Sequence, residues 1–393
     1  MLEKIERGPP DPMFELKANA DMDEDPRKVD LGVGIYRNEA GSYEELETVT
    51  RYGPTTGDAD FLRLGAGLLF GKQSQAIATE KICSVQTISG TGANSLAALL
   101  IGKEFPSSRV YISLPTWGNH VPIFQHVGLQ VSTYEYLDSS GSKPDMEALL
   151  HTVRVAPPYS IFVLQGCCHN PTGVDFSVQQ WVQLAEELKD RTHIVVIDIA
   201  YQGLGEGLDE DAAGLRTLAE AGLELLVCQS FSKNFALYNE RCGALHAVCK
   251  SSAVAADVKD KLRSLIRHTY SSSPAYGSRL VKVVLNDEVS CELWIRELER
   301  MRSRLKKNRQ NLLTHLAASG IPEGWSDIAA KKGLFVCLPL TAEQCSRLTA
   351  EHHIHLPENG RINIAGLSAD NVRRTAQVIA TEVNTAFSRL KTP

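Results

Sequence analysis

The chain has 393 residues, 43% of them apolar and 22% charged, a composition that supports a large core plus a smaller second domain and excludes disorder. Lys and Arg number 41 against 47 Asp and Glu, so the net charge of −6 supplies no global field for nucleic acid or an anionic membrane. No stretch reaches the ~18 apolar residues of a membrane span, and residues 1–10 lack the apolar core of a secretory signal, which predicts a cytosolic protein. The nine cysteines show no CxxC spacing, so neither a disulfide framework nor a metal site is indicated. The adjacent Cys167-Cys168 reads as two small buried residues at a strand end.

Residues 1–30 are polar and Pro-rich, with an acidic run from Asp21 to Asp25 that reads as a solvated face on an arm or loosely held helix. A short strand is expected over residues 29–37, where Gly32 and Gly34 allow a close backbone approach. Val85-Gln86-Thr87-Ile88 then runs into Ser89-Gly90-Thr91-Gly92 and a helix from Ala93. This strand, small-residue turn and helix start offers free amides and hydroxyls to an anion, although alone it reads more readily as a plain capped turn. Further strands are expected at residues 109–113, 131–134, 160–164 and 194–197, separated by helical patterns. One of these helices is opened by the capping-box spacing of Ser177 and Gln180 and buries Trp181, Leu184, Ala185 and Leu188. The alternation predicts a mostly parallel sheet covered by helices.

Leu225 to Cys228 reads as a buried strand, and Lys233 follows it among small hydroxyls and aromatic neighbours, an unusual setting for a lysine. Residues 243–248 form the next strand and 252–268 a helix. From Asp287 a long helix carries Trp294, Leu298, Met301, Leu305, Leu312 and Leu316 on one core-facing stripe. Strands at residues 333–338 and 361–366 belong to a C-terminal domain, and His352, His353 and His355 read as a solvated turn. The expected division is an arm and part of the small domain at 1–41, a large domain at 42–299 and a small C-terminal domain at 300–393.

Five stretches, Ser89-Gly90-Thr91-Gly92, His169-Asn170-Pro171-Thr172-Gly173, Asp198-Ile199-Ala200-Tyr201-Gln202-Gly203, Ser230-Phe231-Ser232-Lys233 and Arg361-Ile362-Asn363, occur in the order found in one family. The chain closely resembles the aspartate and aromatic aminotransferases of the class I group, which use pyridoxal 5′-phosphate on the type I fold. The resemblance implies a large domain with a mostly parallel sheet between helices and a smaller α/β domain built from both termini. It implies Lys233 as the amine that holds the cofactor aldehyde and moves a proton, Asp198 as partner of the ring nitrogen, and Asn170 and Tyr201 as donors to the ring oxygen. Trp117 would stack on the ring. Ser89, Gly90, Thr91, Ser230, Arg241 and, across a dimer, Tyr52 would hold the phosphate. Arg361 would grip the substrate α-carboxylate near Asn170, Trp117 and Gly34, and Arg267 would reach the neighbouring subunit's pocket to meet a side-chain carboxylate.

The implied activity is transfer of the amino group from aspartate to 2-oxoglutarate by a homodimer. The segment between Gly41 and Tyr52 is shorter than the family pattern, which keeps two alternatives open: an aromatic or broad-specificity aminotransferase, and a cofactor-binding homologue weakened there. Another pyridoxal enzyme, such as a lyase or decarboxylase, is a further reading that Lys233 alone does not exclude.

Overall fold

The computed structural model describes residues 16, 19–32, 36–40, 59–270, 272–321 and 324–390, excluding the side chains of Arg267 and of residues 386–390. The expectations for Gly34 and Tyr52 lie outside the described residues. In chain order the strands are β1 Val29–Asp30, β2 Ile82–Ile88, β3 Arg109–Leu114, β4 Gln130–Glu135, β5 Ile161–Gln165, β6 Ile194–Ile199, β7 Leu225–Ser230, β8 Cys242–Val248, β9 Phe335–Cys337, β10 Ile354–His355 and β11 Arg361–Asn363. The chain divides into two compact units, one of residues 44–303 with 331–333, the other of residues 1–43, 304–330 and 334–393.

The larger unit is built on a seven-stranded sheet in the order β2-β8-β7-β6-β5-β3-β4, in which β8 alone runs against its neighbours. The fold is therefore α/β with a mostly parallel sheet, as the strand and helix alternation predicts. Every residue of β7 and β8 is buried, as in strands covered on both faces, and the polar Gln229 and His246 among them meet one another at 2.9 Å. By contrast, β2 buries alternate residues, as a strand with one packed face does. One core layer joins Leu96, Ala97 and Ile101 of the helix Ser89–Glu104 to Val110, Ile112, Val163, Val196 and Leu245 of the sheet. Each of the Leu, Ile and Val side chains contributes about 1.5–3 kcal/mol through burial.

The order of strands reverses between β3 and β5, since β4 lies outside β3 while β5 to β7 proceed the other way. Such a switch opens a crevice at the carboxyl ends of the strands. The loops after β3, β5, β6 and β7 carry Trp117, Asn170, Tyr201 and Lys233 to that edge.

Helix Val178–Leu188 begins at the expected capping box, with both Ser177 and Gln180 bonds present, and its four expected apolar residues are buried. The stripe from Trp294 to Leu316 on the helix Glu288–Ala318 is at most 1% exposed. Two expected boundaries shift. The helix expected from Ala93 begins at Ser89, so Gly90 and Thr91 already belong to its first turn, and of the strand expected over 29–37 the described residues form Val29–Asp30.

In the smaller unit β1 pairs with β10 in parallel and β11 pairs with β9 antiparallel. Here two sequence readings fail. His353 and His355 are not a solvated turn, and Asp21 to Asp25 is not wholly a solvated face. The Asp23 carboxylate bonds His355 Nε2 at 2.7 Å and His353 Nδ1 at 3.1 Å, while Asp25 meets His353 Nε2 at 3.0 Å. The Asp25 amide, and after it the His355 and His353 imidazoles, hold the Asp23 carboxyl down at about 2. Hydrogen-bond partners brought together by the β1–β10 pairing explain both departures, and no local pattern announces a partner 330 positions away.

Behind the Lys233 loop, Trp294 is fully buried, stacks on Phe235 at 4.5 Å and donates its indole N–H to the Asn234 carbonyl at 2.8 Å. Replacing Trp294 by Ala is expected to cost about 3–5 kcal/mol in urea denaturation. A loss below about 1 kcal/mol would show that this ring is not the support the packing implies.

Candidate active site

Lys233 lies three residues beyond β7, partly buried, with its Nζ over the Tyr201 ring at 4.8 Å from the centroid. Burial pulls its amine down to about 8; the Asp198 carboxylate opposes this shift and the Arg241 charge assists it. An amine in that range is a nucleophile and a proton acceptor near neutral pH, which a solvated lysine is not.

Asp198 stands near the end of β6, only 8% exposed. Its Oδ2 meets His120 Nε2 at 3.0 Å, and His120 Nδ1 meets the Thr116 hydroxyl at 2.8 Å. A carboxylate only accepts, so the imidazole proton sits on Nε2 and the Thr116 hydroxyl donates to Nδ1. The His120 ring, 1% exposed, also meets the Trp117 indole edge-on at 5.2 Å. Asp198 Oδ1 is buried without a hydrogen-bond partner among the described residues. A buried carboxylate oxygen is costly unless a donor meets it, and a protonated ring nitrogen supplies such a donor.

Several of the residues expected around a phosphate meet at one helix start. Ser89 Oγ lies 3.2 Å from Ser230 Oγ and 2.8 Å from Ser232 Oγ, all three residues being buried. A Cβ at Gly90 would sit 2.9 Å from Ser230 Cβ, so the first turn of the helix closes on β7 only because this position has no side chain. At Gly243 the constraint is tighter, with an added Cβ 2.5 Å from the Ser89 carbonyl carbon. Ser89 and Arg241 take left-handed backbone conformations, φ 61° and 51°, which cost on the order of 1–3 kcal/mol each. The Ser89 N–H donates to the Arg241 carbonyl at 2.9 Å, tying these two strained residues together. Arg241 donates through one guanidinium nitrogen to Tyr238 O at 2.7 Å, and Thr91 is partly buried on the same helix turn. Three hydroxyls, first-turn amides and a guanidinium form a donor set suited to a phosphate.

Asn170 is held by its own backbone. Its N–H donates to Gln165 Oε1 at 2.8 Å, and Gln165 Nε2 returns a bond to the Asn170 carbonyl at 2.9 Å. Just before it, the Asp175 carboxylate accepts from the Cys168 and His169 amides at 2.8 Å each, while His169 stacks on Tyr136 at 3.7 Å. Cys167 and Cys168 are 4% and 2% exposed, the packing role expected of them. After Tyr201, the Asp211 carboxylate accepts the Gly203, Gly205 and Glu206 amides at 2.8, 2.9 and 2.8 Å; burial raises its carboxyl to about 6.

Ser89, Gly90, Thr91, Trp117, Asn170, Asp198, Tyr201, Ser230, Lys233 and Arg241 thus all belong to the larger unit, at or just beyond strand ends facing the crevice. Arg361 belongs to the smaller unit, where its guanidinium stacks on Phe335 at 4.3 Å and donates to the Gly32 carbonyl at 3.1 Å. Arg267 lies on the helix Ser252–Thr269. His120, Ser232, Gln165 and Asp175 were not foreseen as site residues. For Ser232 a signal existed, since it shares the hydroxyl-rich stretch with Ser230; the other three act through contacts that no local pattern encodes.

The chain matches the aminotransferase class I and II family over residues 26–379. It is 38% identical to the mitochondrial aspartate aminotransferase of Dictyostelium discoideum over 390 residues, covering 96% of this chain and 92% of that protein. Among solved structures it is similar to the aspartate aminotransferase from the cytoplasm of Saccharomyces cerevisiae, with TM-score 0.94, 36% identity and coverage of 98% and 99% of the two chains. It is equally similar to the aromatic-amino-acid aminotransferase of Burkholderia pseudomallei covalently bound to pyridoxal phosphate, with TM-score 0.93, 36% identity and the same coverage.

Because only the neutral amine attacks an aldehyde, capture of pyridoxal 5′-phosphate by the cofactor-free protein is expected to quicken as pH rises to about 8 and to level off above it. Stopped-flow absorbance checks this, and a rate unchanged between about pH 6.5 and 9 contradicts it. Gly90→Val is expected to weaken cofactor retention by at least tenfold, about 1.4 kcal/mol, in equilibrium dialysis. Unchanged retention would remove Gly90 from the cradle.

Proposed function

The chain belongs to the class I and II aminotransferases and is a pyridoxal-phosphate-dependent transaminase, and we propose that it moves the amino group of L-aspartate to 2-oxoglutarate, giving oxaloacetate and L-glutamate. The observation that carries the site assignment is Asp198, with one oxygen fixed by His120 and the other buried without a partner among the described residues, in the field of an amine held near neutrality. The bound cofactor supplies an aldehyde that condenses with amines and a ring that accepts the electron pair left when a Cα proton departs.

The residues then divide the work. Lys233, as a neutral amine, takes the proton from the substrate Cα and returns it on the other side of the transfer. Asp198 would favour the protonated state of a ring nitrogen bound beside it; His120 and Thr116 keep that carboxylate oriented. Asn170 and Tyr201 donate to the ring oxygen, and Trp117 covers the ring face. Ser89, Gly90, Thr91, Ser230 and Arg241 hold the phosphate, joined by Ser232. Arg361 pairs with the α-carboxylate through its planar fork, which the Phe335 ring and the Gly32 carbonyl keep in one orientation.

Specificity for a second carboxylate rests on Arg267, and phosphate binding is completed by Tyr52; in this reading both cross to the neighbouring subunit of a homodimer. Gly34 lends its backbone to the α-carboxylate site. The enzyme is read as cytosolic, the compartment of the Saccharomyces relative; among the described residues no helix is long and apolar enough to cross a membrane. A second reading is favoured by a specific observation: aromatic and aspartate enzymes are equally similar to this chain, at 36% identity each. In that reading Arg267 turns aside and aromatic side chains are also accepted.

Steady-state turnover of aspartate and phenylalanine separates the two. Arg267→Ala is expected to lower kcat/KM for aspartate by on the order of 10²-fold, the loss of one charge-assisted pair, and to leave phenylalanine within about threefold. Arg361→Ala is expected to depress both substrates by on the order of 10²-fold or more, because both carry the α-carboxylate. An aspartate rate untouched by Arg267→Ala would reject the dicarboxylate assignment.

A further inference from the structure

Away from the crevice, at the opposite end of the β2–β8 ladder, two thiols meet. Cys83 of β2 stands across from Ala247 of β8, and residue 249 shares a face of the ladder with residue 247. Cys249 follows the last residue of β8, where its N–H still bonds the Lys81 carbonyl at 2.8 Å. Its S–H reaches the Ala247 carbonyl at 3.8 Å and also the Cys83 sulfur.

Both residues are nearly enclosed by protein, at 4% and 7% exposure, yet Cys83 lines an open cavity of about 380 Å³ together with Ser84, Arg63, Glu80, Ser252 and Lys259. The Cys249 hydrogen bond and the Lys259 charge favour the thiolate of Cys83, while the same pairing and burial push the Cys249 thiol up. Of the two sulfurs, Cys83 is the one at the cavity wall, and Cys249 holds its proton on the same face of the ladder.

We propose that Cys83 and Cys249 are an oxidisable thiol pair, with Cys83 the sulfur that reacts with small hydroperoxides entering this cavity and Cys249 the sulfur that resolves the product. The Cys83 thiolate attacks the terminal oxygen of the hydroperoxide, the O–O bond breaks, and an alcohol or water leaves, giving a sulfenic acid. The Cys249 sulfur then displaces that oxygen as water and the S–S bond forms, so two thiols surrender two electrons and two protons to the peroxide. Cys249 lies past the last residue of β8 and keeps one ladder bond there, from its N–H to the Lys81 carbonyl, so formation of the S–S bond falls to rotation of the two side chains. The bond would staple β2 to β8, the two strands whose other ends carry Ser89 and Arg241.

The test exposes the cofactor-loaded enzyme to hydrogen peroxide, then unfolds it, counts free thiols and maps the peptides. Two of the nine thiols are expected to disappear into one peptide pair joining Cys83 to Cys249, and to return with dithiothreitol. In Cys249→Ser the expected product is a sulfenic acid at Cys83, trapped by a cyclic 1,3-diketone, and in Cys83→Ser neither product forms. Retention of all nine thiols by the wild type, or a bridge between Cys167 and Cys168 with Cys83 and Cys249 still free, would overturn the proposal.

Discussion

The site depends on an amine and a carboxylate held within one another's field at the carboxyl edge of a buried sheet. Removing either charge from water costs several kcal/mol unless partners replace the solvent. Lys233 relieves that cost by giving up part of its proton affinity, and Asp198 by accepting from His120 through one oxygen. The second oxygen stays unsatisfied within the described protein, which is intelligible only if a donor from elsewhere completes it. What looks like a defect in the isolated chain is the feature that fits a protonated heterocycle.

Holding these two groups steady takes more of the fold than the groups themselves. The loop after β5 is pinned by Gln165 and Asp175, the loop after β6 by Asp211, and the loop after β7 by Trp294 and Phe235. Strained backbone at Ser89, Cys168, Ala236 and Arg241 gathers in the loops and turns of this site. Strain of that kind persists only where the surroundings over-determine it. The parallel order of β3 to β7 brings their loops to one edge, and the turn to antiparallel β8 adds Arg241 beside the Ser89 turn.

The sequence disclosed what local periodicity can disclose. The stripe from Trp294 to Leu316, the Ser177 capping box and the strands around the lysine follow from side-chain spacing alone, and the structure contains them. The five motifs pointed to the family because they occur in its order and at nearly its spacing. His120, which fixes Asp198 from 78 positions away, left no such trace, and neither did the bond from Trp294 to Asn234 across 60. The same blindness misread His353 and His355, whose partner Asp23 lies in an acidic run that looked solvated. Charge pairing over long separations is decided by topology, which the pattern of one strand or one helix does not contain.

The central claim is that this chain runs a half-reaction that stops until an acceptor arrives. The most direct measurement mixes cofactor-loaded protein with aspartate in the absence of any 2-oxo acid, follows the cofactor's absorbance, and counts oxaloacetate. The expected result is a single shift with one oxaloacetate released per chain, reversed when 2-oxoglutarate is added. Release that continues without an acceptor, or no shift at all, would contradict it.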